Sequence, residues 1–155
     1  MKQYGTAIFR SLLMPLALLI LASGCATTSS SSHTAGDYAV PTVKESDAAR
    51  AIAKIGKYNF GDSRVPLADV EDLVRRSLQS QESRAMLAAM LGDLLEGNAT
   101  VDGKRFACRQ LALIGTEAQV AQLAPLLNDP ALTDLVRSAL ERIPGQKAAT
   151  ALAGA

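Results

Sequence analysis

The sequence contains no tryptophan, one histidine and two cysteines, and aromatic residues make up only 4% of its 155 residues. One histidine and two cysteines are too few for most protein metal sites and for a disulfide framework. The formal net charge of +1 gives no electrostatic reason to expect nucleic acid as a partner. The shortage of aromatic residues, together with abundant Ala and Leu, favours helices over sheets. We therefore expect a helical protein with no metal and no cofactor.

The hydrophobic residue content and the length of the chain are sufficient for one packed domain. Hydrophobic residues account for 48% of the chain and charged residues for 20%, so a core can form and wholesale disorder is not expected. A length of 155 residues accommodates one domain and not two.

Residues 1–24 have the features of a secretory signal peptide. Lys2 and Arg10 supply positive charge, and residues 12–22 form an uncharged, mostly aliphatic run. This run is too short to span a bilayer, which takes about 20 helical residues. Its length is typical of the apolar region of a signal peptide, and we expect residues 1–24 to be one.

The apolar run ends in the small residues Ala22, Ser23 and Gly24, directly before Cys25. This ending resembles the lipobox of bacterial lipoproteins. The commonest lipobox has Leu three positions before the cysteine, whereas Leu21 lies four positions before Cys25. In that family the signal peptide is cut before the cysteine, whose thiol receives a diacylglycerol. The resemblance implies that Cys25 begins the mature chain and holds it at a membrane. The alternatives are an ordinary signal peptide cut nearby and an amino-terminal hydrophobic anchor.

The residues after Cys25 indicate a destination and a tether. Ala26 follows the cysteine, whereas Asp at that position is associated with retention in the inner membrane, so the resemblance implies the outer membrane. The folded domain would then be periplasmic or surface-exposed. Residues 26–36 are rich in Ser and Thr and include His33, and such a stretch has nothing to bury. We expect residues 25–45 to hold the lipidated cysteine and this tether.

Residues 46–155 are expected to be helical throughout. Apolar residues recur there at helical spacing, and no segment alternates with period two, so the sequence predicts helices and no sheet. The predicted apolar stripes occupy residues 48–55, 70–78, 87–95, 107–114, 120–127 and 132–143. Two helix starts are also predicted: a capping box of Thr116 with Gln119, and an N-cap at Asp129 with Pro130 at the first helical position.

The later helices are similar to one another. One constant shift along the sequence aligns four apolar pairs, which are Ala107 with Val136, Leu111 with Leu140, Ile114 with Ile143 and Leu123 with Leu152. We call this the repeat alignment. A single pair of helices cannot bury both of its faces, so repeated pairs stack. The sequence therefore predicts a short α-solenoid with units at about 46–66, 67–99, 100–129 and 130–155, of which the last is incomplete.

The repeated stretch also resembles a known family. Residues 107–145, ACRQLALIGTEAQVAQLAPLLNDPALTDLVRSALERIPG, are similar to the short HEAT-like repeats first named in phycobilisome lyases. Residues 57–76 are similar to a unit that often precedes them. The resemblance covers roughly residues 46–155, and its motif is degenerate. Family members act mainly as protein-binding surfaces, so the resemblance implies a non-catalytic interaction module.

Three short motifs could indicate chemistry or modification, but each has a structural interpretation that we prefer. Residues 61–63, Gly-Asp-Ser, are similar to the nucleophile block of GDS-type esterases, yet no histidine follows to serve as a base, so we predict a turn. Cys108 lies at the edge of an apolar stripe and is predicted to be a small buried residue. Residues 98–100, Asn-Ala-Thr, match a glycosylation sequon and are predicted to be a turn followed by an N-cap.

The basic residues of the folded part could in principle form a stripe, but acidic residues are interleaved with them, which favours a mixed-charge solvated surface. The candidate basic residues are Arg75, Arg76, Arg84, Lys104, Arg105 and Arg109.

The carboxy-terminal unit is the predicted place for a partner. Residues 148–153 form a short, Ala-rich segment, and the unit stops at Ala155 without a polar cap. We expect an envelope protein or a second copy to bind a surface that includes Leu140, Ile143, Thr150 and Leu152. The alternative is that the chain is the front piece or accessory subunit of a larger envelope enzyme or transport assembly.

Overall fold

The computed structural model describes residues 42–155, and within this range the chain is all-helical, as predicted. The seven α-helices are α1 Glu45–Ile55, α2 Val65–Ser77, α3 Gln81–Glu96, α4 Val101–Ile114, α5 Val120–Leu123, α6 Thr133–Arg142 and α7 Gln146–Ala153. Two 3-10 segments, Glu117–Gln119 and Ala124–Asn128, flank α5. The predicted signal peptide and nearly all of the predicted tether lie outside the described residues.

Polar side chains fix where several helices begin. The Ser80 hydroxyl accepts the Ser83 N–H at 3.3 Å before α3, and the Thr100 hydroxyl accepts the Gly103 N–H at 3.1 Å before α4. Each bond satisfies a backbone donor that has no partner inside the helix. The predicted capping box is confirmed, because Gln119 Oε1 accepts the Thr116 N–H at 3.0 Å, although it opens a 3-10 segment and not an α-helix.

The prediction at Asp129 and Pro130 is confirmed for the cap and wrong for the helix start, because Asp129 accepts a backbone N–H as an N-cap does but the α-helix begins three residues after Pro130. Helix α6 begins at Thr133, and residues 130–132 form a turn before it. The Asp129 carboxylate accepts the Ala131 N–H at 2.8 Å, and this local bond closes the turn.

The predicted apolar stripe at residues 120–127 does not form one continuous helix. Helix α5 covers only four residues, and a 3-10 segment follows from Ala124 with a proline in its first turn. Pro125 has no N–H to donate to the preceding turn, and its ring crowds the carbonyl there, so the α-helix ends before it.

The helices contact one another in a regular order. Consecutive contacts join α1 to α2, α2 to α3 and α3 to α4, and also α5 to α6 and α6 to α7. Each helix also contacts the helix two places along the chain, which gives one series through α1, α3, α5 and α7 and another through α2, α4 and α6. No helix in residues 42–155 is long and apolar enough to cross a membrane.

The two series enclose one core, and most of the aligned positions are buried in it. Of the four pairs in the repeat alignment, three have both members buried, and in the fourth Leu123 is buried while Leu152 is half-buried. The spacing of apolar residues therefore predicted correctly which faces of α4 and α6 point inward.

Candidate functional site

The predicted lipidation site lies outside the described residues, and so do the residues that flank the predicted cleavage point. Cys25, Ala22, Ser23 and Gly24 precede Thr42, where the description begins. The structure shows where the chain joins the fold. Val43 is buried, and its N–H donates to the Ser83 hydroxyl at 3.3 Å, so the chain enters the domain beside the start of α3.

The predicted partner surface at the carboxy-terminal end needs correction. Leu140 and Ile143 are both buried in the core, because α6 packs against α4 and α7, so neither can contact a partner. Thr150 is exposed on α7, and its hydroxyl donates to the Gln146 carbonyl at 2.9 Å. Leu152 is half-buried. Of the four predicted residues, only Thr150 and Leu152 remain available at the surface.

A tight turn between α1 and α2, residues 56–64, is the most sharply defined surface feature, and we call it the Phe60 turn. Gly61 has φ +99°, a conformation that side chains with a Cβ rarely adopt. The Asp62 carboxylate accepts the Asn59 N–H at 2.9 Å, and the Asp62 N–H donates to the Asn59 carbonyl at 3.0 Å. The turn is therefore closed by its own backbone and one aspartate.

Residues at the start of α4 form hydrogen bonds with the Phe60 turn. The Phe60 N–H donates to Asp102 Oδ2 at 2.9 Å, and the Thr100 N–H donates to the Gly56 carbonyl at 2.9 Å. The Thr100 hydroxyl donates to the Tyr58 carbonyl. The predicted turn and N-cap at residues 98–100 are confirmed, and Thr100 serves both α4 and the Phe60 turn.

The Phe60 turn exposes an aromatic ring to solvent. Phe60 is 91% exposed, and Val65 and Val101, which begin the two helices bordering the turn, are 65% and 49% exposed. Lys57 and Arg64 are also exposed, and neither forms an ion pair within residues 42–155. Sequence reasoning identified the turn and missed the phenylalanine, although a large apolar residue between Asn59 and Gly61 was the available signal.

The motif that is similar to an esterase block has a structural role in this turn. Ser63 is exposed, and its hydroxyl accepts the Val65 N–H at 3.4 Å, next to the start of α2. Asp62 is engaged with the backbone of Asn59. The prediction that residues 61–63 form a turn is confirmed.

Two open grooves border α1. One, of about 500 Å³, lies between α1 and α2 and is lined by charged residues that include Asp47, Arg50, Asp72 and Arg76. Two of the carboxylates in it are paired within their own helices, Asp47 with Arg50 and Asp72 with Arg76 at 2.8 Å. These pairs balance much of the charge in the groove.

The second groove, of about 470 Å³, lies between α1 and α3. Its lining is mainly apolar and includes Ile52, Ala53, Met90 and Leu94. Small side chains on α1 face longer ones on α3, which leaves a shallow channel on the outside of the two helices.

Cys108 is buried on α4, as predicted. Burial raises the pKa of its thiol to about 11, because the apolar surroundings disfavour the thiolate, and the nearby positive charges of Arg109 and Lys104 offset only part of this effect. The thiolate is the reactive form, so this thiol is held in its unreactive form near neutral pH.

Several of the candidate basic residues are paired locally. Arg75 and Arg76 both contact Asp72, and Arg105 contacts Asp102 at 3.2 Å. Within residues 42–155 no group of three or more His, Cys, Asp or Glu side chains could hold a metal ion.

No protein-family model matches the chain, and neither a curated protein nor a solved structure matches it.

Proposed function

We propose that this chain is a lipid-anchored, non-catalytic interaction module of the bacterial envelope, built as a short HEAT-like α-solenoid. The observation that carries the solenoid interpretation is the order of helix contacts. Each helix contacts the helix two places along the chain, and the positions that the repeat alignment pairs on α4 and α6 share the same degree of burial. Stacked helix pairs in which each unit covers its neighbour would produce this pattern.

An interaction role follows from this architecture. A stack of helix pairs has two long faces, and proteins of this kind use such faces for binding. Asp47, Asp72 and Asp102 are paired with arginines, and the Cys108 thiol is buried and protonated, so these groups serve the fold. Phe60, Thr150 and Leu152 remain as surface groups available to a partner.

The anchor in this proposal rests on the sequence from Ala22 to Cys25. Each buried methylene contributes about 0.8 kcal/mol, so one acyl chain binds a membrane reversibly and two or more hold it firmly. Cleavage before Cys25 would remove Lys2 and Arg10 and leave 14 basic and 15 acidic residues, a formal net charge of −1. A lipid-anchored chain of this charge needs no large basic surface to stay at the membrane.

Lipidation predicts that cells grown with an alkyne fatty acid will label the wild-type chain and not the Cys25→Ala variant. The physical reason is that the thiol of Cys25 is the only group proposed to accept the diacylglycerol. Labelling is read after click attachment of a fluorophore and gel separation, with Cys108→Ala as the matched control that should label like the wild type. Equal labelling of wild type and Cys25→Ala would refute the lipoprotein assignment.

The carboxy-terminal surface predicts a specific crosslinking pattern in intact cells. A photoreactive residue at Thr150 should capture a discrete envelope protein or a second copy of the chain, because Thr150 is exposed on α7 and adjoins half-buried Leu152. The same probe at Ser30 in the tether, or at exposed Glu71 on α2, should not capture that species. Crosslinks from Ser30 alone, or from none of the three, would instead indicate a passive structural lipoprotein.

A further inference from the structure

Exposed large apolar side chains are concentrated at one end of the described domain. Five such residues are conspicuous in residues 42–155, and three of them, Phe60, Val65 and Val101, belong to the Phe60 turn or to the helix starts that border it. The other two, Leu78 and Leu113, lie at or near the carboxyl ends of α2 and α4. The Phe60 ring is 91% exposed, so a partner that covered it would remove apolar area from water.

The turn holds the ring in place before any partner arrives. Its backbone is bonded internally through Asn59 and Asp62, and externally to the start of α4 through Asp102 and Thr100. A side chain displayed by a backbone of this kind loses less conformational entropy on binding than one on a loose loop.

The ionisable side chains named around the ring are three basic residues, Lys57, Arg64 and Arg105, and two acidic ones, Asp62 and Asp102. The two aspartates near it accept backbone N–H groups, Asp62 from Asn59 and Asp102 from Phe60, and Asp102 also contacts Arg105. Asp102 is thus compensated by Arg105, whereas exposed Asp62 keeps its negative charge near the ring. Lys57 and Arg64, on either side of the ring in the sequence, are exposed and form no ion pair within the described residues.

We propose that the Phe60 turn is a membrane contact, in which the Phe60 ring enters the interface of an anionic bilayer and Lys57 and Arg64 face the lipid phosphates. A projecting ring flanked by basic side chains matches a surface that is apolar beneath an anionic layer. Phe60 stands almost free of its own domain, so no other part of the described chain covers the ring.

The segment between Cys25 and Thr42 is long enough for the Phe60 turn to reach a membrane that holds Cys25. Seventeen residue steps separate Cys25 from Thr42, and at about 3.4 Å each they reach at most about 58 Å. Helix α3, with 16 residues, is only about 24 Å long. If Cys25 is lipidated as proposed above, the turn is confined near the same membrane, so even a weak contact is populated through its high effective concentration.

The absence of tryptophan from the sequence makes a direct test possible. The full chain carrying Phe60→Trp has a single tryptophan, which reports the environment of this position by its fluorescence. After reconstitution into vesicles of phosphatidylcholine mixed equally with phosphatidylglycerol, its emission should shift to the blue, and brominated lipids should quench it. Both the blue shift and the quenching should be smaller in vesicles of phosphatidylcholine alone. They should also be smaller when Lys57→Glu and Arg64→Glu are combined with Phe60→Trp.

Leu113→Trp is the matched control, because Leu113 is 58% exposed on α4 but lies near the opposite end of that helix from Val101. Its emission should not change with vesicle composition, and brominated lipids should not quench it. The proposal would be overturned if the Phe60→Trp chain kept the emission wavelength that it has in water with both kinds of vesicle. A blue shift only in intact cell envelopes, and not in protein-free vesicles, would also overturn it, in favour of a protein partner. The intact mass of the purified chain reports lipidation separately, so failure of the anchor and failure of the Phe60 contact give different results.

Discussion

Replacing Gly103 by alanine is expected to destabilise the domain by about 3 kcal/mol, at the upper end of the usual cost of overpacking. Gly103 is buried in the first turn of α4, where a Cβ atom would lie 2.3 Å from the carbonyl oxygen of Ile55. That oxygen belongs to the backbone at the end of α1, so it cannot move aside as a side chain can. The N–H of Gly103 is also bonded to Thr100, which holds the Phe60 turn.

Helix propensity alone predicts the opposite sign for this substitution. Alanine in a helix is favoured over glycine by about 1 kcal/mol, so an uncrowded site would gain stability. Gly97→Ala is the matched control, because a Cβ there would meet only ordinary contacts at 3.6 Å. Urea unfolding followed by circular dichroism measures both variants. A Gly103→Ala variant at least as stable as the wild type would contradict the close approach of α1 and α4.

Gly103 also shows which features the sequence can predict and which it cannot. Periodicity placed α1 and α6 close to their observed bounds, and it located α3 and α4 but not their first turns, which begin six residues before the predicted stripes. A glycine near the start of a helix is by itself a weak signal. Its importance depends on the Ile55 carbonyl, which is distant in the sequence and reaches Gly103 only through tertiary packing.

The carboxy-terminal surface was mispredicted for a related physical reason. The apolar stripe that contains Leu140 and Ile143 indicated burial, but the prediction treated the end of the repeat array as uncovered. Helix α7, although only eight residues long, packs against α6, and Ala148 is buried in that contact. A short Ala-rich helix is weak in isolation, so its docked position comes from tertiary contacts that propensity does not report.

Phe60 is the surface residue that no periodic pattern could indicate. Helical and strand periodicities describe which residues are buried against regular elements, and a turn has no such period. Its sequence of Asn, Phe, Gly, Asp and Ser does predict a turn. Whether the phenylalanine folds back onto the core or points outward depends on bonds to Asp102 and Thr100, which lie beyond two further helices along the chain.

Leu111→Ala and Leu140→Ala are each expected to reduce the free energy of unfolding by about 2–5 kcal/mol. Both leucines are almost completely buried, and truncation removes apolar contacts and leaves a cavity that the surrounding helices fill only in part. The repeat alignment pairs these two buried positions on α4 and α6, so the repeat interpretation predicts losses of similar size. Urea or thermal unfolding of the purified variants measures these losses.

Two controls separate loss of the core from the general effect of substitution. Leu113→Ala removes the same atoms from the same helix at a side chain that is 58% exposed, and its effect should stay within about 0.5 kcal/mol. His33→Ala changes a residue of the predicted tether and should not alter the unfolding transition. If Leu111→Ala and Leu140→Ala melted like these controls, the repeat alignment would not describe the core. A large loss at Leu111 with none at Leu140 would mean that α6 and α7 unfold separately from the rest, and unfolding of the domain would then not be two-state.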